Sequence, residues 1–275
     1  MKKWNGMIRF FLFGICAGLV FGSGCGRQEK QAVYQEETRP QIIIGSDNYP
    51  PFNYEDADGK PAGIDVDLAT EAFDRLGYEA VFTYIDWEAK KQLVDSGEID
   101  CIWRSFSIDG RESQYHWTEP YMTSSQVVAV SKDSDIYTLA DLEGKRVAVQ
   151  STTKPEEIFV SHADPRIPEL AEVFSLQNRE LIYPFLSKGY ADAVAAHETA
   201  ILQCMKDYDL EYRILEEPLL TVGLGVAFSN YDDRGIEQEL SEVFEEMRAD
   251  GTMEKILGKY LEHPEDYLEV TSHEE

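Results

Sequence analysis

Basic residues are scarce in this chain: 25 Lys and Arg stand against 52 Asp and Glu in 275 residues, a formal net charge of −27. That balance excludes a nucleic-acid ligand, whose phosphates demand a basic surface. It equally excludes docking through anionic lipid headgroups. What the acid surplus does suit is solubility at an exposed surface. Cysteine is scarce too, with four in the chain. Cys16 lies in an apolar N-terminal run and Cys25 just beyond it, so only Cys101 and Cys204 fall in the body of the sequence. One sits in a strand-like run and the other in a helix-like run, at no metal-ligand spacing, and both are expected to be reduced and buried. The sequence also lacks a phosphate-cradling glycine loop, a His/Cys metal pattern and a nucleophile–base–orienter trio, so no catalytic residue, metal or cofactor is expected. Past residue 22 no apolar run approaches the roughly 20 residues that span a bilayer.

The N-terminus carries Lys2, Lys3 and Arg9, then the uncharged run FFLFGICAGLVFG from Phe10 to Gly22. This has the layout of a secretory signal. Gly22-Ser23-Gly24-Cys25 follows, and small residues ahead of a Cys resemble the lipobox of bacterial lipoproteins, with Gly22 where that pattern usually has Leu. The resemblance implies removal of residues 1–24 and a lipid on Cys25; plain cleavage with an incidental Cys is the alternative. Loss of three basic residues and no acidic one would take the charge from −27 to −30. Residues 25–40 are polar, without an apolar period, and read as a tether.

From residue 41 the pattern alternates. QIIIG is a short apolar strand, and DVDLATEAFDRLG sets Val66, Ala69, Ala72, Phe73 and Leu76 on one helical face with Gly77 as a stop. EAVFTYI reads as a strand, WEAKKQLVDSG as a helix and IDCIW as a strand. A second set runs VVAV, TLADLEG, KRVAVQ, a helix after a Thr153-Lys-Pro-Glu156 capping box, a strand over 170–174, a helix interrupted by Pro184, DAVAA and HETAILQCMKD. TVGLGVAFS returns as a strand, and Ile236, Leu240, Val243, Phe244 and Met247 form a stripe of period 3.6. Strands alternating with helices predict an α/β fold with parallel sheets.

Several stretches, in order, resemble the type II solute-binding proteins (family 3) of polar amino-acid ABC importers. They are Ser46-Asp-Asn-Tyr-Pro-Pro-Phe52, Gly63-Ile-Asp-Val-Asp-Leu68, Ile85-Asp-Trp87, Ser107-Ile-Asp-Gly-Arg111, Glu119-Pro-Tyr121, Leu139 to Val147, Gly189 to Ala193 and Asp250 to Ile256. The resemblance implies two Rossmann-like lobes joined by two hinge crossings: residues 41–125 plus 225–275 in one, 126–224 in the other. It implies a ligand, an amino acid or a dicarboxylate, enclosed at the strand ends. Permease and ATPase subunits on other chains are implied as partners, and a lipid-anchored monomer on the outer face of the cytoplasmic membrane as the setting. A ligand-presenting sensory module, or an enzyme built on the same fold, is the alternative.

Carried over residue by residue, Arg111 becomes the fork for a ligand carboxylate, since a guanidinium donates two parallel hydrogen bonds. Ser105 and Ser107 are neighbouring donors, and Thr152 and Thr153 match ligand-contacting hydroxyls or serve as caps alone. Asp47 falls in the first binding loop, and Tyr49 and Trp87 match the aromatic walls, while Phe52 reads as core. Two positions depart from the family pattern. His197 stands where an Asp usually pairs with the ligand ammonium, with Glu198 as a possible substitute. Arg104 stands where a small residue is usual; it fills the pocket, points to solvent, or pairs with an acid. Both changes push the pocket toward positive, which favours a ligand more acidic than a neutral amino acid.

Overall fold

The computed structural model describes residues 38–269, apart from 163. The expected signal segment, Cys25 and all but the last residues of the tether lie outside the described residues. The chain runs through β1 (Gln41–Ser46), a hairpin of β2 (Tyr54–Glu55) and β3 (Pro61–Ala62), α1 (Ile64–Arg75), β4 (Glu79–Tyr84), α2 (Lys90–Ser96), β5 (Cys101–Ser107), β6 (His116–Trp117) and β7 (Met122–Ser131). It continues through β8 (Arg146–Gln150), α3 (Lys154–Ser161), β9 (Glu172–Leu176), α4 (Ile182–Ser187), β10 (Ala193–His197), α5 (Glu198–Tyr208) and β11 (Tyr212–Ile214). β12 (Leu220–Phe228), α6 (Ile236–Ala249) and α7 (Thr252–Leu257) complete it.

The strands order as β4-β1-β5-β12-β7-β10-β8-β9, with β11 beside β7 and β6 beside β12. β1 lies parallel to β4 and β5, and β8 parallel to β10 and β9, so each end of the sheet is a parallel α/β unit. Two long antiparallel strands join them. β12 pairs with β5 at Leu224↔Ser107 and Phe228↔Cys101, and with β7 at Leu220↔Gln126 through Leu224↔Met122. β7 then pairs with β10 from His197↔Gln126 to Ala193↔Val130. The architecture is therefore α/β, two lobes with two crossings between them.

Period-two alternation sets the cores. In the second lobe Val128, Val130, Val147, Val149, Ala193 and Ala195 face one buried cluster. The intervening Val127, Ala129, Ala148, Val194 and Ala196 face another. A sheet buried on both faces reads as continuous apolar runs, as VVAV and DAVAA do. In the first lobe the α6 stripe is buried as its spacing predicts, and it packs with Phe73 and Trp103 of the same core. Each such side chain contributes about 1.5–3 kcal/mol by leaving water. Val222, Leu224, Val226 and Phe228 of β12 join this core, so the C-terminal elements belong with the N-terminal ones.

Local departures from the sequence reading have local causes. β5 runs on through Ser107 and β7 starts at Met122, because β12 offers pairing groups along both. The strand expected over 170–174 is shifted to Glu172–Leu176 by parallel register with β8, Arg146↔Glu172 onward. Pro184 leaves a 3₁₀ turn, Arg179–Leu181, and a six-residue α4. The capping box at Thr153 does not form. Thr152 takes a left-handed φ of 54°, so its own N–H reaches Glu156, and the Thr153 hydroxyl turns back to donate to the Gln150 carbonyl at 2.6 Å. Gly63 opens α1 at φ 122°, where a Cβ would lie 2.2 Å from the Phe52 carbonyl oxygen. Cys101 and Cys204 are both free and buried.

Candidate functional site

The site is built on the C-terminal ends of β5, β8 and β10, where parallel strands deliver their last residues into a crevice. β5 presents Arg104, Ser105 and Ser107. Ser105 holds a left-handed φ of 39°, which for a residue with a Cβ is maintained only by its surroundings. Asp65 in the first turn of α1 supplies that hold. Its carboxylate accepts from the Ser105 N–H at 2.7 Å, from the Asn53 amide at 3.0 Å and from the Tyr121 hydroxyl at 2.8 Å. Burial raises Asp65 to about 6 despite these donors. The Ser105 hydroxyl itself is buried without a partner.

Arg111 follows in the turn after β5, with its side chain 10 % exposed. The guanidinium makes one long hydrogen bond, 3.4 Å to the Ser107 carbonyl, and Glu157 of α3 lies 3.7 Å away. Burial lowers its pKa from the ordinary arginine value. Most of its five N–H groups are thus uncommitted.

Arg104 is engaged on every side. Its Nε and Nη2 donate to the Asp47 carboxylate, the latter at 2.9 Å, and Nη2 also donates to the Gln150 side-chain oxygen at 2.8 Å. Its Cζ lies 4.3 Å from the ring centres of both Tyr49 and Trp87, within cation–π range. Arg179 approaches the Tyr49 ring to 3.4 Å and donates to the same Gln150 oxygen, while its Nε is buried without a partner. Lys90 at the start of α2 is buried as well, donating to the Trp87 carbonyl at 3.1 Å and the Thr152 hydroxyl at 2.8 Å.

The second lobe contributes His197 at the end of β10. Gln126 donates from its amide to His197 Nε2 at 2.8 Å, so Nδ1 carries the proton and donates to the Ser124 hydroxyl at 2.8 Å. Burial, then Arg179 and Arg104, drive the His197 pKa well below 6.5, and the ring is neutral. The Gln126 side-chain oxygen is left buried and unpartnered. The lobes meet directly across the crevice. Ser151 donates to Glu88 at 2.7 Å, Gln177 to Asp86 at 2.9 Å and Gln150 to Asp47 at 2.8 Å.

Trp87, Arg104, Ser105, Ser107, Arg111, Thr152, Thr153 and His197 all border one cavity of about 20 Å³. Tyr49 and Asp47 stand behind it as partners of Arg104, and Phe52 is in the core. Of the alternatives for Arg104, pairing with an acid is the one observed. Its charge is therefore balanced, and His197 adds none. The surplus positive charge comes from Arg179 and Lys90, neither of which forms an ion pair among the described residues, while Arg111 keeps a long ion pair of 3.7 Å with Glu157. Sequence reasoning missed Lys90, Gln126, Gln150 and Arg179. Gln150 was signalled by its place at a strand end beside Thr152; Arg179, in a polar segment between β9 and α4, had no local signal.

The sequence matches the bacterial extracellular solute-binding proteins, family 3, over residues 42–263. The histidine-binding periplasmic protein of Salmonella typhimurium is 34% identical over 232 residues, 81% of this chain and 88% of the relative. The fold is similar to an ancestral arginine-binding protein bound to arginine, with a TM-score of 0.73 and 27% identity over 82% of this chain and 99% of that one. It is similar also to an ABC uptake transporter substrate-binding protein from Streptococcus pneumoniae with bound histidine, with a TM-score of 0.74 and 25% identity over 81% of this chain and 92% of that one. With the family's sequence pattern running over residues 42–263 and so through both lobes, this chain belongs to the bacterial extracellular solute-binding proteins, family 3.

Proposed function

We propose that this protein is the extracytoplasmic substrate-binding lipoprotein of an ABC importer, taking an amino acid or related small carboxylate into the crevice and delivering it to a permease. The observation that carries this reading is the convergence on one cavity of the uncommitted Arg111 guanidinium with the unpartnered Ser105 hydroxyl and Gln126 carbonyl. Those are donors for a carboxylate and an acceptor for an ammonium. In this reading the ammonium meets Gln126, since the His197 acceptor is already occupied. About 20 Å³ holds one or two waters, so uptake requires the lobes, 41–125 with the segment from 225 onward and 126–224, to part about β7 and β12. The ligand is bound and released unchanged.

The unpaired Arg179 and Lys90 favour a ligand with a second negative group. Calorimetric titration of glutamate, aspartate and simple dicarboxylates against glutamine, lysine and arginine tests this. The acids are expected to bind most tightly; lysine or arginine binding best would overturn it. The anchor has its own test. Cys25→Ser should move the protein from the membrane fraction to the soluble one, and continued membrane association of that variant would remove the lipid from the account.

A further inference from the structure

Arg104 sits in a site that reads as a receptor for a guanidinium. Two aromatic rings, Tyr49 and Trp87, lie 4.3 Å from its Cζ; the Asp47 carboxylate accepts from two of its nitrogens; and Gln150 adds an amide oxygen at 2.8 Å. Flanking π faces, a fork-matched carboxylate and a neutral acceptor are what recognition of a free guanidinium requires. The parts come from separate elements: the loop after β1, the turn after β4, and the end of β8 in the other lobe. The ion pair also stands as a partition. Trp87 and Arg179 border both the inner cavity and an outer recess of about 310 Å³, while Arg104 borders the inner space and its partners Asp47 and Gln150 the outer one.

We propose that Arg104 is a built-in occupant of a guanidinium receptor and thereby sets the class of ligand the protein accepts. A ligand whose side chain ends in a cation has to displace a tethered group already at high effective concentration. It must also leave the Arg104 charge buried and unpaired beside Arg179 and Lys90. Arginine, lysine and protonated histidine are shut out of the aromatic slot, and ligands are confined to the inner space bordered by Arg111, Ser105, Gln126 and Arg179. The consequence for ligand class rests on the crevice being the binding site, as proposed above; the receptor itself does not.

Arg104→Ala removes the atoms of ethylguanidinium beyond Cβ. The variant should bind ethylguanidinium at least tenfold more tightly than the parent protein by calorimetry. It should also regain thermal stability in millimolar ethylguanidinium while the parent does not shift. Ethylammonium should give less, and Asp47→Asn in the same background should abolish the gain. A folded Arg104→Ala that responds to ethylguanidinium no more than the parent overturns the proposal, as does a parent that binds L-arginine as tightly as the variant does. Should the variant not fold, the parent decides. Its Arg104 Nε–H should give an NMR resonance shifted by the two rings and slow to exchange; a resonance at the free-arginine position exchanging at the solvent rate overturns the assignment. If the parent binds no acidic ligand while Arg104→Ala captures ethylguanidinium, the acidic-ligand reading falls and the receptor stands. If the parent binds acidic ligands while Arg104→Ala ignores ethylguanidinium, the receptor falls and the acidic-ligand reading stands.

Discussion

Lys90→Met isolates the electrostatics of the crevice. Lys90 is 6 % exposed, and no carboxylate pairs with it among the described residues. Burial first, then the charges of Arg111 and Arg104, lower its ammonium from the ordinary 10.5 to about 7. A base whose folded pKa lies below its unfolded one binds fewer protons when folded. Stability therefore rises with pH between about 7 and 10.5, and the full penalty applies below that window. At about 1.4 kcal/mol for each tenfold change, the penalty is ~5 kcal/mol. Methionine keeps most of the apolar stem and drops the charge. Denaturant unfolding of both proteins at about pH 6, 8 and 10 is the assay. The variant should be more stable than its parent by a few kcal/mol at the lowest pH, and the advantage should shrink through the window. At the top a small deficit should remain, because the Trp87 and Thr152 oxygens have lost a donor worth about 1 kcal/mol. Taking the difference between the two proteins cancels distant titrating groups. A difference that stays flat from the lowest to the highest pH would refute the assignment of Lys90 as a buried amine whose charge costs the fold stability.

Three further outcomes are expected. Arg111→Lys replaces a planar fork by a point charge, so the tightest acidic ligand should bind about 10- to 100-fold more weakly by calorimetry, and unchanged affinity would remove Arg111 from the site. Gly63→Ala drives a Cβ to 2.2 Å from the Phe52 carbonyl oxygen at φ 122°, and should lower stability by ~3 kcal/mol or more. A thermal midpoint within a degree of the parent's would show that the turn relaxes freely. His197→Asp places a carboxylate among Arg104, Arg179 and Gln126, and should shift the glutamine-to-glutamate affinity ratio at least tenfold toward glutamine; an unshifted ratio would mean that position 197 does not sense the ligand.

Much of the architecture was legible because apolar spacing carries it. The α1 face from Val66 to Phe73 and the α6 stripe are buried as spaced, and VVAV and DAVAA lie in the sheet as continuous apolar runs. Element ends were less legible. β7 and β5 lengthen only because β12, far later in the chain, supplies a pairing edge to both. The failed capping box has the same character. Thr153 and Glu156 have the right spacing, but the left-handed Thr152 redirects which N–H meets the carboxylate.

The site divides along the same line. By itself the sequence determined the α/β class, the family pattern and the residue types at the strand ends, since these depend on local periodicity and on motifs contained in short segments. That Arg104 is charge-paired, that His197 is neutral with both ring nitrogens engaged, and that Arg179 and Lys90 supply the surplus charge were decided only by the tertiary structure. Asp47, Gln126, Gln150 and Arg179 reach those partners from loops and strands of both lobes. Hydrogen bonding and Coulomb interaction act over a few ångströms of space, without regard to separation along the chain. The charge a buried side chain carries is therefore a property of the assembled crevice, which no single segment contains.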